Sequence, residues 1–203
     1  MSRYTGSVNR KSRRLGFSIL ENNKEFLKGK KREYAPGQHG AANRKLSGYG
    51  QQLAEKQKLA LMYGLNNRQF ERYFKMAKLM KGATSMNLLI VLESRLDNLV
   101  YRMGFASTRR AARQLVNHGH VLVNGKKVDI PSYVCEVNDV ISIKEKSRKL
   151  PIVLANLNND TLKFVQTNKG EFSSKYVRYP ERSELSPDIK ETYVVEWFSR
   201  IVK

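Results

Sequence analysis

The sequence predicts an α+β protein made of a basic N-terminal arm, a mainly helical part and a small α+β unit. Three observations predict it. Residues 1 to about 48 lack sustained hydrophobic periodicity and are rich in Gly, Asn, Lys and Arg. From Gln51 to Gly104 apolar residues recur at helical spacing. After one more helix the pattern changes to the alternation of strands, starting at HVLVNGKKV (120–128).

Within the arm, KGKKREYAPGQHG (28–40) combines a basic cluster, a Pro-Gly turn and a lone histidine, His39. Such a stretch cannot bury much, so it is either disordered or ordered on a partner. Its glycines permit close backbone approach to a phosphate chain. The opening MSRYTGSVNRKSRRLG has the Arg and Ser of a transit peptide but lacks its apolar face, and no signal-peptide core follows. It reads as the basic arm of a soluble protein in a reducing compartment.

The helical part begins with QQLAEKQKLALMYG, from Gln51 to a stop at Gly64. NNRQFERYFKMAKLMKG follows, with Asn66 or Asn67 as the cap and Gly82 as the stop. Phe70, Tyr73, Phe74, Ala77 and Met80 fall on one side of its wheel, with Arg68, Arg72 and Lys75 opposite. Such an aromatic stripe could stack bases, but at helical spacing it is expected in the core. A third helix is expected over NLLIVLESRLDNLVYRMG, where Leu92, Leu96, Leu99 and Met103 form a stripe that Gly104 ends.

STRRAARQLVNHGHVLVNGKKV (107–128) is the most informative stretch. Ser107 is expected as the cap of its helix. Counted from Arg109, Arg113, Asn117 and Arg110 lie at about 40°, 80° and 100°, and Ala111, Ala112, Leu115 and Val116 fill the other side. The wheel predicts one core side and one cationic side. Gly119 fits the left-handed position that ends a helix. Asn124-Gly125 is a preferred two-residue hairpin loop, with Lys126 and Lys127 just past its tip. Pro131 breaks the run, and VNDVISIKEKSRKL adds a turn at Asn138-Asp139, a strand and a basic exit. Residues 151–203 have an ambiguous middle and an acidic-aromatic end, with a short amphipathic helix near 189–200.

Charge points to the partner. Thirty-eight Lys and Arg against 18 Asp and Glu leave +20 on 203 residues. Self-repulsion of that size disfavours a small compact protein alone, and a polyanion would offset it. The excess is +9 over residues 1–50, +4 over 51–94, +6 over 95–150 and +1 over 151–203. The front and middle are therefore the candidate binding parts, and the near-neutral end is suited to packing. Arg109, Arg110 and Arg113 on one helix side, with Lys126 and Lys127 nearby, would form a rigid array that positions phosphates without reading sequence. Replacing the three arginines by alanine is expected to weaken binding and leave the fold intact. RNA is favoured over DNA, because no helix-turn-helix or C₂H₂ pattern is evident and extended arms suit irregular RNA.

Candidate RNA-binding residues in the arm are Arg3, Arg10, Lys11, Arg13, Arg14, Lys30, Lys31, Arg32, His39, Arg44 and Lys45. The helical part adds Lys56, Arg68 and Arg72. The α+β unit adds Arg109, Arg110, Arg113, Asn117, His118, His120, Asn124, Lys126, Lys127, Lys144, Lys146 and Arg148. A metal site is not expected, since His118 and His120 supply two ligands at most and Cys135 is the one cysteine. That pair either braces the helix end or donates to RNA. No phosphate-binding glycine loop, nucleophile elbow or HExxH pattern is present, so neither catalysis nor a cofactor is expected. Glu93, Asp97 and Asp129 are expected as ion-paired surface groups.

LESRLDNLVYRMGFASTRRAARQLVNHGHVLVNGKKVDIPSY (92–133) resembles the RNA-binding module named after ribosomal protein S-four. RYTGSVNRKSRRLG, YAPGQHG (34–40), YGQQLAEKQKLALMYG (49–64) and YPERSELSPDI (179–189) extend the resemblance, in order, to the bacterial-type S-four family of small-subunit ribosomal proteins. The resemblance implies an arm over residues 1–49 and a discontinuous helical domain over 50–92 and 156–203. The RNA-binding module, over 93–155, would be inserted in that domain. It implies a cytoplasmic, ribosome-bound monomer that binds small-subunit rRNA at a helix junction of the 5′ domain and acts early in assembly. It also implies contact with the neighbouring protein S-five, a place by the messenger entry path and an influence on decoding accuracy. Some members of the family feed back on their own messenger. Some carry an N-terminal zinc-binding cysteine cluster, which this sequence lacks. Enzymes that borrow the module append a catalytic domain, for which no residues are left over here.

Overall fold

A computed structural model describes residues 4–23, 26–27, 34–42, 45–156 and 161–201. It divides the chain into two units, Met1–Ser85 with Ser186–Lys203, and Met86–Leu185.

In the first unit the segment expected as an unpatterned arm contains a helix, α1 (Val8–Leu15). Val8 and Ser12, four residues apart, are its two buried positions, too few to register as periodicity. Beyond the cap at Gly16 the chain returns inward, burying Phe17 and Ile19, and the Ile19 amide donates to Ser12 Oγ at 3.3 Å. Helix α2 (Gly48–Met62) starts from Ser47, whose hydroxyl accepts from the Gly50 amide. Helix α3 (Asn67–Leu79) is capped by Asn66, in a reciprocal capping box with Gln69. Phe70, Tyr73, Phe74 and Ala77 are buried, and Phe198 of α8 (Glu191–Ile201) meets the Phe70 and Phe74 rings at 5.0 and 4.9 Å. The aromatic stripe is therefore core. Met80 departs from that stripe: it follows the helix and is 40% exposed. Helix α8 also lies along α2, where Gln52 Nε2 donates to Glu196 and the Tyr49 and Trp197 rings sit 4.7 Å apart.

The expected third helix is broken into α4 (Thr84–Glu93), all but its first two residues in the second unit, and α5 (Leu96–Arg102). Its stripe survives, since Leu92, Leu96, Leu99 and Met103 are all buried. At the break Arg95 is extended and bridges to Val134. The Leu96 and Asp97 amides donate to the carbonyls of Tyr133 and Pro131, and the Cys135 amide donates to the Ser94 carbonyl. The first amides of a helix have no partner within it. Here a loop distant in sequence supplies acceptors, which a helical wheel does not see.

Helix α6 (Arg109–Asn117) is capped by Thr108, not Ser107: the Thr108 hydroxyl accepts the Ala111 amide, three residues on. It ends in a Schellman motif, with His120 N donating to Leu115 O and Gly119 N to Val116 O, at a Gly119 φ of 68°. The sheet order is β2-β1-β3-β5-β4, antiparallel throughout, with β1 (Val121–Val123), β2 (Lys126–Lys127), β3 (Val140–Ile143), β4 (Val165–Asn168) and β5 (Ser173–Tyr176). Asn124 and Gly125 turn the first hairpin, both at positive φ. A short helix, α7 (Pro151–Leu154), separates β3 from β4. Residues 165–176, grouped with the helical domain by the resemblance, form a hairpin whose β5 pairs with β3, as in Val140↔Lys175. One sheet face (Val121, Val123, Ile141, Ile143, Val165 and Tyr176) packs with Leu96, Leu99, Ala112, Leu115 and Val116 in one core, together with Cys135. Among the described residues no helix is long and apolar enough to cross a membrane.

Candidate nucleic-acid interface

The outer side of α6 carries Arg110, Gln114, Asn117 and His118, all exposed at spacings that make one stripe. Gln114 was not among the sequence candidates; its place four residues after Arg110 was the available signal. The stripe runs into the joint that Gly119 makes. There the His118 and His120 rings are 5.9 Å apart, and His120 Nδ1 lies 2.8 Å from Ser147 Oγ. The Lys144 amide donates to the His120 carbonyl at 3.0 Å. Lys127 closes the other side: a Cβ added to Gly119 would come 2.4 Å from Lys127 Cε. Burial, then the charges of His118 and Lys144, hold His120 below its ordinary imidazole pKa. His120 is thus tied into the joint, while His118 faces solvent.

Several candidates have structural partners. Asn124 Oδ1 accepts from the Val140 amide and Nδ2 donates to Asp139, so its side chain fastens the hairpin to β3. Arg148 Nε donates to the Ile143 carbonyl at 3.5 Å, with its guanidinium 5.5 Å from the Phe172 ring. Lys126 and Lys127 are exposed on β2, and Lys127 lies 3.6 Å from the exposed Asp129. Lys146 is exposed and Lys144 half-buried.

The expected cationic side of α6 is not all surface. Arg113 is only 7% exposed, and Glu93 and Asp97 are buried rather than surface groups. Glu93 accepts from Asn98 at 2.6 Å and from Arg102 Nε and Nη2 at 3.0 and 2.8 Å, with Arg109 Nη2 at 3.7 Å. Arg109 Nε donates to Asn98 Oδ1 at 2.7 Å. Asp97 takes the fork of Arg95 and one nitrogen of Arg113. Two buried carboxylates thus gather four guanidiniums and tie α6 to α4 and α5. Removing a partner from such a pair leaves an uncompensated buried charge. Replacing Arg109 and Arg113 by alanine would remove partners from these buried carboxylates, so the triple exchange is expected to cost stability as well as surface charge, against the expectation of an intact fold.

In the first unit Arg10 and Arg14 are exposed on α1 and Arg13 is half-buried there; the Lys11 amine sits 5.6 Å from the Tyr4 ring. His39, Lys45, Arg68 and Arg72 are exposed. Lys56 donates to Asn67 and lies 5.9 Å from the Trp197 ring, and burial lowers its pKa. Arg3, Lys30, Lys31, Arg32 and Arg44 lie outside the described residues. Among the described residues no three His, Cys, Asp or Glu side chains gather as a metal site. The surface suited to a polyanion on the second unit is thus the α6 stripe, the histidine joint and the lysines beside it.

Comparison with known proteins gives a consistent result. Residues 3–93 match the family model described as the ribosomal protein S4/S9 N-terminal domain, and residues 94–141 match the S4 domain. The small ribosomal subunit protein uS4 of Malacoplasma penetrans is 62% identical over 202 residues, and that of Ureaplasma urealyticum 60% over 202. The uS4 protein of Mycoplasma capricolum is 57% identical over 207 residues. Each of these alignments covers 100% of both chains. The β4–β5 hairpin lies beyond the S4-domain match.

Proposed function

As the chain belongs to the uS4 family of small ribosomal subunit proteins, we propose that it is a structural, non-enzymatic part of that subunit and grips its rRNA with two preorganised cationic surfaces. The observation that carries this reading is the exposed stripe of Arg110, Asn117 and His118 on α6, which runs into the Gly119 joint where Lys127 lies and the Lys144 amide is bonded to His120. Those residues, with Lys126 and Lys146, contact phosphate and 2′-hydroxyl groups. Arg109, Arg113, Asn124 and His120 hold that surface in shape. Arg10, Lys11, Arg13 and Arg14 on α1 form the second surface. The discontinuity of the first unit, 1–85 with 186–203, supports an inserted RNA-binding module.

The finer role follows from the same resemblance. The protein binds 5′-domain rRNA at a helix junction as a primary binder, and its docking nucleates assembly of that domain. It neighbours protein S-five, lies by the messenger entry path in the cytoplasmic ribosome and contributes to decoding accuracy. The test is affinity for a 5′-domain rRNA fragment against salt. With about 8 phosphates neutralised, log affinity falls with log salt at a slope of roughly −6 to −7. A slope near zero sinks the electrostatic account. A modified nucleotide after incubation with rRNA would make the protein an enzyme instead.

A further inference from the structure

We propose that the hollow between α1 and the turn beginning at Tyr34 is a pocket for one unstacked RNA base, which lies on the Tyr34 ring while Arg10 and Arg13 take its flanking phosphates. This inference rests on the rRNA reading above and adds what kind of nucleotide the first unit takes. The hollow has a volume of about 560 Å³ and is lined by Arg10, Arg13, Tyr34, Ala35, Pro36 and Gly37. That falls within the range of about 300–1,000 Å³ usual for small-ligand sites. Among the described residues its lining holds two arginines and one tyrosine and no acidic residue.

Each wall has local contacts of its own. The helix wall is held by Val8 and Ser12 and by the inward return through Phe17. The turn wall closes on itself. The Gly40 amide donates to the Gly37 carbonyl at 3.2 Å, and a Cβ on Gly40 would fall 1.7 Å from the Ala35 carbonyl oxygen. Only glycine allows that approach. Tyr34, 46% exposed, immediately precedes that turn and lines the hollow together with Arg10 and Arg13 of the helix. Gly37, with nothing within 4 Å of where its Cβ would stand, leaves open space next to it.

Guanidiniums alone would attract any phosphate chain. The ring changes what is selected, because a base can lie on it only when its face is free. Duplex RNA offers no such face, whereas loops, bulges and junctions do. The expected ligand is therefore an unpaired nucleotide with phosphates on both sides.

The test uses the full-length protein and the 5′-domain rRNA fragment, with affinity measured across salt concentrations. Tyr34→Leu, which keeps apolar bulk and removes the ring, weakens binding by about 5- to 150-fold with an unchanged salt slope. Tyr34→Phe, which restores the ring, recovers most of that loss. Arg10→Gln lowers the slope by about 1. Circular dichroism matched to the parent excludes misfolding as the cause. Undiminished affinity in Tyr34→Leu overturns the pocket, and so does a changed slope. Tyr34-dependent binding of poly-glutamate would also overturn it, in favour of an acidic peptide. If the parent protein shows no salt-dependent rRNA binding, the failure lies in the rRNA reading and takes the pocket with it.

Discussion

Arg113 Nη1 lies 3.5 Å from Asp97 Oδ2, on a carboxylate that Arg95 already grips with bonds of 3.0 and 2.6 Å. An arginine from a helix with a cationic side is thus turned inward, where it ties that helix to α5. Its neighbour Arg110 stays on the surface. Asp97→Asn leaves Arg95 and Arg113 without their counter-charge, and the module should lose about 3–5 kcal/mol of stability. Urea denaturation measures it. A loss under about 1 kcal/mol would show that water reaches the pair. The exposed Asp129, 3.6 Å from Lys127, is the control, and Asp129→Asn should be nearly neutral.

Lys126 and Lys127 are exposed on a two-residue edge strand. Their joint replacement by alanine should leave the melting temperature unchanged and reduce the salt slope of rRNA binding by about 2. Arg113→Ala should do the reverse, with a clear loss of stability. Equal effects of the two changes on stability would contradict the division between gripping and bracing residues.

Gly119 sits at a φ of 68° between α6 and β1, against the Lys127 side chain. An L-residue there costs about 1–2 kcal/mol, and the lysine must also swing away. Gly119→Ala should therefore lower the denaturation midpoint, and Gly119→Asn less so, because Asn tolerates the left-handed region. Should both variants match the parent, the joint would be softer than its hydrogen bonds indicate.

Tyr176 and Cys135 predict a loss of stability in alkali. Burial pushes the Tyr176 hydroxyl from 10.0 up to about 12, against a hydrogen bond with Ser94 that lowers it, and burial raises the Cys135 thiol from 9.0. Above those ordinary values the unfolded chain releases protons that the folded chain keeps. The stabilisation is therefore whole below pH 9 and declines as pH rises through 9 and 10. Urea midpoints from pH 8 to 11 follow it, and Tyr176→Phe should flatten the part above pH 10. An unchanged profile in that variant would locate the effect elsewhere.

His120 works in the opposite direction. Its pKa is lowered from 6.5 by burial, then by His118 and Lys144, so the unfolded chain binds more protons just below pH 6.5. Its contribution is whole above 6.5 and declines as pH falls through the lowered value. An rRNA phosphate at the joint would favour the protonated ring, so binding should take up protons and tighten as pH drops from 7 to 5.5. Calorimetry in buffers of different ionisation heat measures that uptake. With His120 replaced by Gln, the uptake should vanish.

Several elements were legible because their signals are local. An asparagine cap at 66 or 67, the end at Gly119 and the Asn124-Gly125 loop require only that particular residues tolerate particular dihedrals or reach a nearby amide. The burial of Phe70, Phe74 and Leu99 followed from spacing along one helix. Other features were hidden. α1 has two buried side chains, and its anchors Phe17 and Ile19 lie outside the helix. The strands VQTN and SSKY have little apolar alternation, and β3 rather than their own composition supplies the template for β5. The break between α4 and α5 interrupts a run whose apolar period continues across it, because the acceptors for its freed amides come from residues 131 and 133.

The sequence by itself determined that this chain is α+β, that it is heavily cationic at its front and middle, and where a helix passes into a hairpin. Each of these depends on composition or on dihedral preferences within a few residues. Only the tertiary structure decided which cations face outward. Arg110 and Arg113 sit within a turn of each other on the same helix, yet one is exposed and the other lies against Asp97, 16 residues away. Burial and ion pairing depend on which distant segments pack together. The same holds for Tyr34 beside Arg10, brought to one hollow by a turn that closes through Gly40.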